Sequence, residues 1–330
     1  MQVAFFTEGG YTGKVPRNIP MRTDQAWVCA LDAVHHSVFK LNEINPYNPH
    51  HHDTHGVKKY NIGVVIIPKE KNREYLANQN YPLINKIREF CDKIIIMQEG
   101  CHWDWMEDSV NTMVWFYNQL LEADLLLCHN DADVRYYAGI TDKPSMILPT
   151  LMIEDNIKTS NKEDRVFVAG NWHLTYRGFD AWVISNEFDL PKYGFKAGKY
   201  KEGEDINGIN YLPWMDWHSF MYELSKCKYG IKTYQSSAGQ FPLNCAYLGI
   251  PCIGYNDVNT QYNLFPNLSV DRGDIVAARK LANELQTNKD FYKQSVKIGK
   301  FNYDQLYKED KFLEKWKTIE SRLYSQVETI

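Results

Sequence analysis

Several things are missing from this sequence, and each absence removes a class of protein. The 330-residue chain has 7 cysteines, an odd number, and no two are spaced Cys-x-x-Cys. That excludes a fully paired disulfide framework and the commonest structural-zinc spacing. Cys91, Cys128, Cys245 and Cys252 instead lie in apolar runs, where free thiols are commonly buried. No uninterrupted apolar stretch approaches the roughly 20 residues that cross a bilayer, so no membrane span is expected. The opening MQVAFFTEGG lacks a basic segment and a long apolar one, so a secretory signal is not expected and a cytoplasmic location is. An excess of basic charge is missing too. Lys and Arg number 37 against 41 Asp and Glu, a net charge of -4. This gives no global footprint for nucleic acid and leaves only a local basic groove open. The glycine-rich turn Gly9-Gly10-Tyr11-Thr12-Gly13 has neither the GxGxxG nor the P-loop spacing.

What is present fits two α/β domains. The length is too great for one ordinary core. Short apolar runs alternate with helix-like segments, the rhythm of a parallel sheet. In the first half, strands are expected at Gln2–Phe6, Asn61–Ile67, Asp92–Met97, Asp124–Cys128 and Met146–Leu148. Helices are expected at Thr23–His35, Pro82–Phe90, Ser109–Glu122 and Asp133–Ala138. Asn45–Gly56 reads as a loop. Residues 154–164 are polar without apolar periodicity and read as a linker. In the second half, strands are expected at Arg165–Ala169, Ala181–Ile184, Gly208–Leu212, Tyr229–Thr233 and Pro251–Gly254. Helices are expected at Trp217–Ser225, Phe241–Leu248, Ile275–Glu284 and Lys311–Ser325. The expected domains are 1–153 and 165–310, with a C-terminal helix over 311–330 that could pack back on the first.

Three segments carry the chemistry. The first is Gln235–Tyr255, which runs through a small-residue turn (Ser236-Ser237-Ala238-Gly239), a helix and then Gly249-Ile250-Pro251. Small residues before a helix let a diphosphate approach the N-terminal N–H groups, where the helix dipole favours an anion. The second is Phe167–Asp180, with Gly170, Asn171, Arg177 and Gly178. A cation at a helix start opposes the dipole, which favours a functional reason for Arg177. The third is Ala123–Asn130 followed by Lys143–Pro149, a strand, a His-Asn turn and a strand closed by proline.

Together, in this order, these segments resemble GT-B glycosyltransferases. The resemblance implies an α/β fold of two tandem Rossmann-like doubly wound domains facing a central cleft, and transfer of a sugar from a nucleotide-sugar. In many such chains two glutamates occupy the donor element. Here Ser236 and Asn244 stand at those places. The implied donor set is Gly10, Gly170, Asn171, Arg177, Gly178, Ser236, Ser237, Ala238, Gly239 and Asn244, with Leu212 and Trp214 at the nucleobase. The catalytic candidates lie just past the third expected strand, in Gln98-Glu99-Gly100-Cys101-His102-Trp103-Asp104: Glu99 first, then His102 and Asp104. Phage DNA glucosyltransferases look similar at this point, so the acceptor could be a 5-hydroxymethylated pyrimidine in DNA, and the compartment a host cytoplasm; a glycan is the other acceptor. No bound cofactor is expected, with a UDP-sugar favoured as co-substrate.

Other readings stay open. The fold also suits a sugar-nucleotide epimerase, and the missing carboxylates at Ser236 and Asn244 would suit a non-catalytic binding module. Two metal lookalikes read otherwise. His50-His51-His52-Asp53-Thr54-His55 reads as a polar loop, since structural zinc draws on separated elements. Asp131-Ala132-Asp133 comes after a strand, so one of its carboxylates reads as a helix N-cap. No metal is therefore expected.

Overall fold

The computed structural model describes residues 1–9, 12–18, 23–43, 60–68, 70–98, 101–102, 108–170, 178–195, 208–233 and 238–325. Chain contacts define two compact units. One comprises Met1–Ile19, Asp24–Leu148 and Phe312–Ile330; the other is built on Pro149–Lys311.

Unit 1 holds six parallel strands: β1 (Val3–Thr7), β2 (Val34–Ser37), β3 (Tyr60–Ile67), β4 (Cys91–Gln98), β5 (Leu125–Cys128) and β6 (Ser145–Ile147), in the order β2-β1-β3-β4-β5-β6. The register sets Val65 beside Phe6 and Ile96. The central strands are continuous apolar runs rather than alternating ones, as a sheet covered on both faces requires. Its helices are α1 (Thr23–Ala30), α2 (Glu70–Asn78), α3 (Leu83–Arg88), α4 (Val110–Glu122) and α5 (Asp131–Ile140). Ser109 caps α4 by accepting the Thr112 N–H at 3.2 Å.

Two expectations fail here. The helix from Thr23 stops at Ala30 instead of reaching His35. Asp32 takes a left-handed φ of 47°, and Val34–Ser37 pairs with β1 as an edge strand. Parallel pairing with β1 overrides the helical spacing of this short segment, VHHS. Helix α2 is absent from the sequence expectations, because its sequence EKNREYLAN is mostly polar and only Leu76, Ala77 and Arg73 are buried.

Unit 2 repeats the architecture. Strands β7 (Val166–Val168), β8 (Lys192–Phe195), β9 (Ile209–Leu212), β10 (Tyr229–Lys232), β11 (Cys252–Tyr255) and β12 (Ser269–Val270) run in the order β12-β11-β10-β7-β8-β9, all parallel. Its helices are α6 (Gly178–Ser185), α7 (Trp217–Ser225), α8 (Gln240–Tyr247), α9 (Asn259–Leu264), α10 (Ile275–Thr287) and α11 (Lys289–Leu306). The expected strand Ala181–Ile184 lies inside α6. A four-residue apolar run cannot tell strand from helix, and Ala181 and Ile184 are buried three apart, on one helical face. Helix α11 is absent from the sequence expectations; two of its three buried positions, Ser295 and Gly299, are not apolar. Helix α12 (Glu309–Ser325) comes next; from Phe312 on it belongs to unit 1, where the Tyr324 hydroxyl donates to the Asn61 carbonyl at 3.3 Å.

The polar stretch 154–164 forms no helix or strand, yet it is fastened to unit 2. Glu154 accepts from Tyr303 at 2.8 Å, the Ser160 N–H donates to Ser225 at 2.8 Å, and Lys162 donates to the Leu248 carbonyl at 3.1 Å. All 7 cysteines are free, and every one but Cys29 is buried. Burial pushes the Cys227 thiol up to about 12, so it stays protonated and inert.

Two measurements check this packing. A Cβ at Gly299 would sit 2.3 Å from the Phe265 ring, whereas one at Gly139 in α5 would meet nothing within 4 Å. Gly299→Ala should lower unfolding free energy by about 1–3 kcal/mol through overpacking. Gly139→Ala should raise it by about 0.5–1 kcal/mol. Urea melts of the two variants read both signs. The second concerns Tyr303, whose hydroxyl is held well above its usual titration range by burial and then by the Glu154 charge. A folded pKa above the unfolded one means full stability below about pH 10 and loss above it, at about 1.4 kcal/mol per pH unit per such tyrosine. Tyr303→Phe should flatten the alkaline decline by that one share in melts between pH 9 and 11.

Candidate active site

In unit 1 the relevant side chains gather where strands end. Strand β4 is fixed by Ile94, Ile95 and Ile96, all buried, so the chain beyond Gln98 emerges at the carboxyl edge, the usual ligand edge of an open parallel sheet. His102 lies there. Next to it, β5 leads into α5, whose N-cap is Asn130 rather than either aspartate of the Asp-Ala-Asp run. The expectation that Asp131 or Asp133 caps the helix is thereby corrected. Asn130 takes the extended conformation that starts the helix, and Asp133 falls in the first turn with another task.

That task is to hold His102. Asp133 Oδ1 accepts from the His102 backbone N–H at 2.9 Å and bonds the ring Nδ1 at 2.7 Å. Asp133 Oδ2 accepts from Asn130 Nδ2 at 3.1 Å. The carboxylate is only 2% exposed. Tyr136, three residues further along α5, stacks its ring on the imidazole with centroids 4.4 Å apart and planes 16° off parallel. Burial, and then the Asp133 charge, keep the Cys128 thiol protonated. The Tyr137 hydroxyl is pushed up by burial first, then by Cys128 and Asp133, with Arg73 pulling the other way. Arg73 is itself buried and paired with Asp108 at 2.7 Å. Glu99 and Asp104, the other catalytic candidates, lie outside the described residues, as do Gly10 and the histidine run 50–55. Gly13 has φ 104° and exchanges two 2.8 Å bonds with the His35 backbone, so its glycine is needed by the chain's own turn.

In unit 2 the donor-type residues also collect at strand ends. Gly170 comes after β7 with φ 116°, a conformation that side chains rarely adopt, and Gly178 opens α6. Asn171, Arg177, Ser236 and Ser237 lie outside the described residues. Ala238 and Gly239 lead into α8. Gly239 is in the left-handed region, φ 66° and ψ 32°, and a Cβ there would lie 2.4 Å from Thr260 Cβ. The Thr260 hydroxyl donates to the Ala238 carbonyl at 3.1 Å, fixing the turn. No acidic residue stands in the first turn of α8, so nothing there offsets its positive end. Asn244 is 2% exposed, and its Oδ1 accepts from Gln240, which is held in turn by Thr150. Leu212 ends β9 half-buried, whereas Trp214 is 85% exposed. Asp216 caps α7, with bonds from Ser219 holding its carboxyl below the usual range.

Two residues are missing from the sequence expectations in the places the structure gives them. Asp133 reads as a cap in sequence because its partner, His102, is 31 positions away. Lys232 closes β10 and is 3% exposed. The pleat sets it on the face of Gly230, which packs against Phe241 and Cys245 of α8. A lysine ending an apolar strand is the available signal. Thr233 is next, fully buried, its hydroxyl without a hydrogen-bond partner among the described residues. Among the described residues no cluster of three or more His, Cys, Asp or Glu is placed to hold a metal, and no helix is long and apolar enough to cross a membrane.

No protein-family model matches the chain, and no curated protein matches it in sequence. Solved structures match it in fold. Sucrose-phosphate synthase from Thermosynechococcus elongatus is similar at TM-score 0.69 and 9% identity, over 99% of this chain and 100% of that one. An alpha-glucosyltransferase in complex with UDP-glucose and DNA containing an abasic site gives TM-score 0.62 at 10% identity, over 97% and 99%. A variant of S. aureus TarM, solved with fondaparinux, alpha-GlcNAc-glycerol and UDP, gives TM-score 0.59 at 11% identity, over 78% of this chain. This chain spans about half of TarM, 54% of its length. These neighbours are GT-B glycosyltransferases, and the two parallel six-stranded sheets with their flanking helices have the GT-B fold.

The left-handed glycine gives a local test. Gly239→Ala should destabilise the protein by about 1–2 kcal/mol from its φ alone, with the Thr260 clash added. The clash is with the Thr260 Cβ, so Thr260→Gly removes it: against the Thr260→Gly background, Gly239→Ala should cost the backbone part alone, as denaturant melts of the single and double variants would show.

Proposed function

We propose that this protein transfers a sugar from a nucleotide-sugar, a UDP-sugar by preference, to an acceptor hydroxyl. The observation that supports it most is the start of α8 within a GT-B fold: a left-handed glycine, a helix N-terminus without an acid, and a buried Lys232 on the same side of the sheet. The N–H groups at a helix start favour an anion, and a diphosphate suits them. Ser236, Ser237, Arg177 and Asn171, with Gly170 and Gly178, complete the donor set in this reading. Leu212 and the exposed Trp214 face the nucleobase. Asn244 accepts from Gln240 through its oxygen, which orients its amide.

Unit 1 serves the acceptor. His102 takes the proton of the acceptor hydroxyl, with Glu99 and Asp104 as neighbours in sequence. The acceptor oxygen forms the new bond to the anomeric carbon as the carbon–oxygen bond to the diphosphate breaks, and the leaving diphosphate carries off the electron pair. Cations and N–H dipoles stabilise that developing charge. For the acceptor, a 5-hydroxymethylated pyrimidine in DNA stands beside a glycan; the DNA named with the alpha-glucosyltransferase favours the first. A duplex acceptor would need its base flipped out.

A thermal-shift series with UDP, GDP and their sugar conjugates, with and without EDTA, tests the donor half. Stabilisation by UDP or UDP-glucose, unchanged by EDTA, is expected. Trp214→Ala should weaken UDP about 5- to 150-fold, the range of one lost base–aromatic stack of about 1–3 kcal/mol. No shift with any nucleotide would remove the reading. Donor consumed without an acceptor would point to an epimerase, and donor bound without turnover to a binding module.

A further inference from the structure

We infer that Asp133 is a positioning residue that sets the tautomer of His102, so that the imidazole lone pair lies on Nε2. The catalytic meaning of this rests on the glycosyl-transfer reading; the hold on the ring does not. The donors around the carboxylate decide the ring's protonation. Oδ1 receives the His102 backbone N–H at 2.9 Å and Oδ2 receives the Asn130 amide at 3.1 Å. A carboxylate oxygen that already accepts an N–H accepts again from the ring, so Nδ1 carries the proton in the 2.7 Å bond. The remaining ring nitrogen is then a base.

Three further features keep this arrangement in place. The backbone bond and the ring bond end on one oxygen, which ties the ring to its own main chain and limits rotation about χ1. Tyr136 covers one face of the imidazole at 4.4 Å. Asn130 and Asp133 are one helical turn apart at the head of α5, so β5 and the helix start fix the carboxylate rigidly. Besides His102, titratable groups that feel the Asp133 charge among the described residues are Cys128 and Tyr137. Thiol and phenol are both held protonated, by burial first and then with a contribution from the Asp133 charge.

In the transfer step the acceptor O–H proton moves to Nε2, the oxygen pair forms the bond to the anomeric carbon as that carbon's bond to the diphosphate breaks and the nucleoside diphosphate leaves with its electron pair, and the imidazolium that results is stabilised by the Asp133 charge across Nδ1–H. The proton then passes to solvent and the ring returns to its starting tautomer. Two quantities separate the roles of Asp133. Its oxygen fixes the tautomer, and its charge stabilises the imidazolium.

The experiment uses the full chain with 15N-labelled histidine, read by NMR at a pH where the ring is neutral, together with steady-state transfer from UDP-glucose. Wild-type His102, assigned by its loss in His102→Gln, should carry its proton on Nδ1. Asp133→Ala should move the proton to Nε2 and lower kcat about 1,000-fold, within the range of lost general-base catalysis. Asp133→Asn keeps an acceptor oxygen without the charge. It should retain the Nδ1 proton and lower kcat at least about tenfold, with the KM for UDP-glucose unchanged within about twofold. If Asp133→Ala does not fold, the Asn variant decides: native melting, a wild-type tautomer and reduced kcat support the inference, and wild-type kcat overturns it. A wild-type proton on Nε2, or an unchanged tautomer in folded Asp133→Ala, also overturns it. A tautomer switch in a protein whose wild type transfers no sugar would uphold Asp133's hold on the ring and overturn glycosyl transfer instead.

Discussion

Parallel strands put all their carboxyl ends on one edge, and each of the two units obeys that constraint with six strands. The rest of the chemistry depends on it. Every strand must return through a crossover, and each crossover begins with a turn and a helix N-terminus at that edge. Within unit 1, His102 after β4 and Asn130 and Asp133 after β5, and within unit 2, Gly170 after β7 and Gly239 after β10, are therefore gathered by topology rather than by closeness in sequence. The apolar continuity of β3 and β4 is what makes the gathering rigid, because those strands are buried along their length.

Two of these ends are electrostatically opposite. At the head of α5 a buried carboxylate is satisfied by an imidazole, a backbone N–H and an amide, so its charge is compensated by donors on all sides. At the head of α8 no acid is present and the nearby strand ends in a buried lysine. The proposed proton transfer draws on the first end, and the proposed diphosphate site on the helix N-terminus of the second. Thr233, buried with an unpartnered hydroxyl among the described residues, stands beside that second end.

Much of the fold is legible in the sequence, because its signals are local. The isoleucine run of β4, the DLLLC of β5 and the Gly249-Ile250-Pro251 entry to β11 each name a strand by composition, and the helix expected at Trp217–Ser225 has those bounds in the structure. The failures have physical causes as well. Val34–Ser37 is a strand only because β1 is there to pair with it. Helix α6 hides behind four apolar residues that suit either state. Helix α11 packs through Gly299 and Ser295, which no hydrophobic pattern reports. The site is less legible than the fold for one further reason. His102 is visible as a candidate, but Asp133 acquires its role from a contact across 31 positions, and short-range patterns assign it to the helix cap beside it. Gly239 stands out in sequence for its closeness to a phosphate; its own φ and Thr260 also demand glycine there.

The most direct measurement is transfer of labelled glucose from UDP-glucose to a panel of acceptors, DNA containing 5-hydroxymethylcytosine and free glycans among them, by wild type and His102→Ala side by side. Label should leave UDP and appear in one acceptor, and His102→Ala should lower this rate at least about 100-fold. Label that stays on UDP with every acceptor, or equal rates in the two proteins, would contradict sugar transfer assisted by His102.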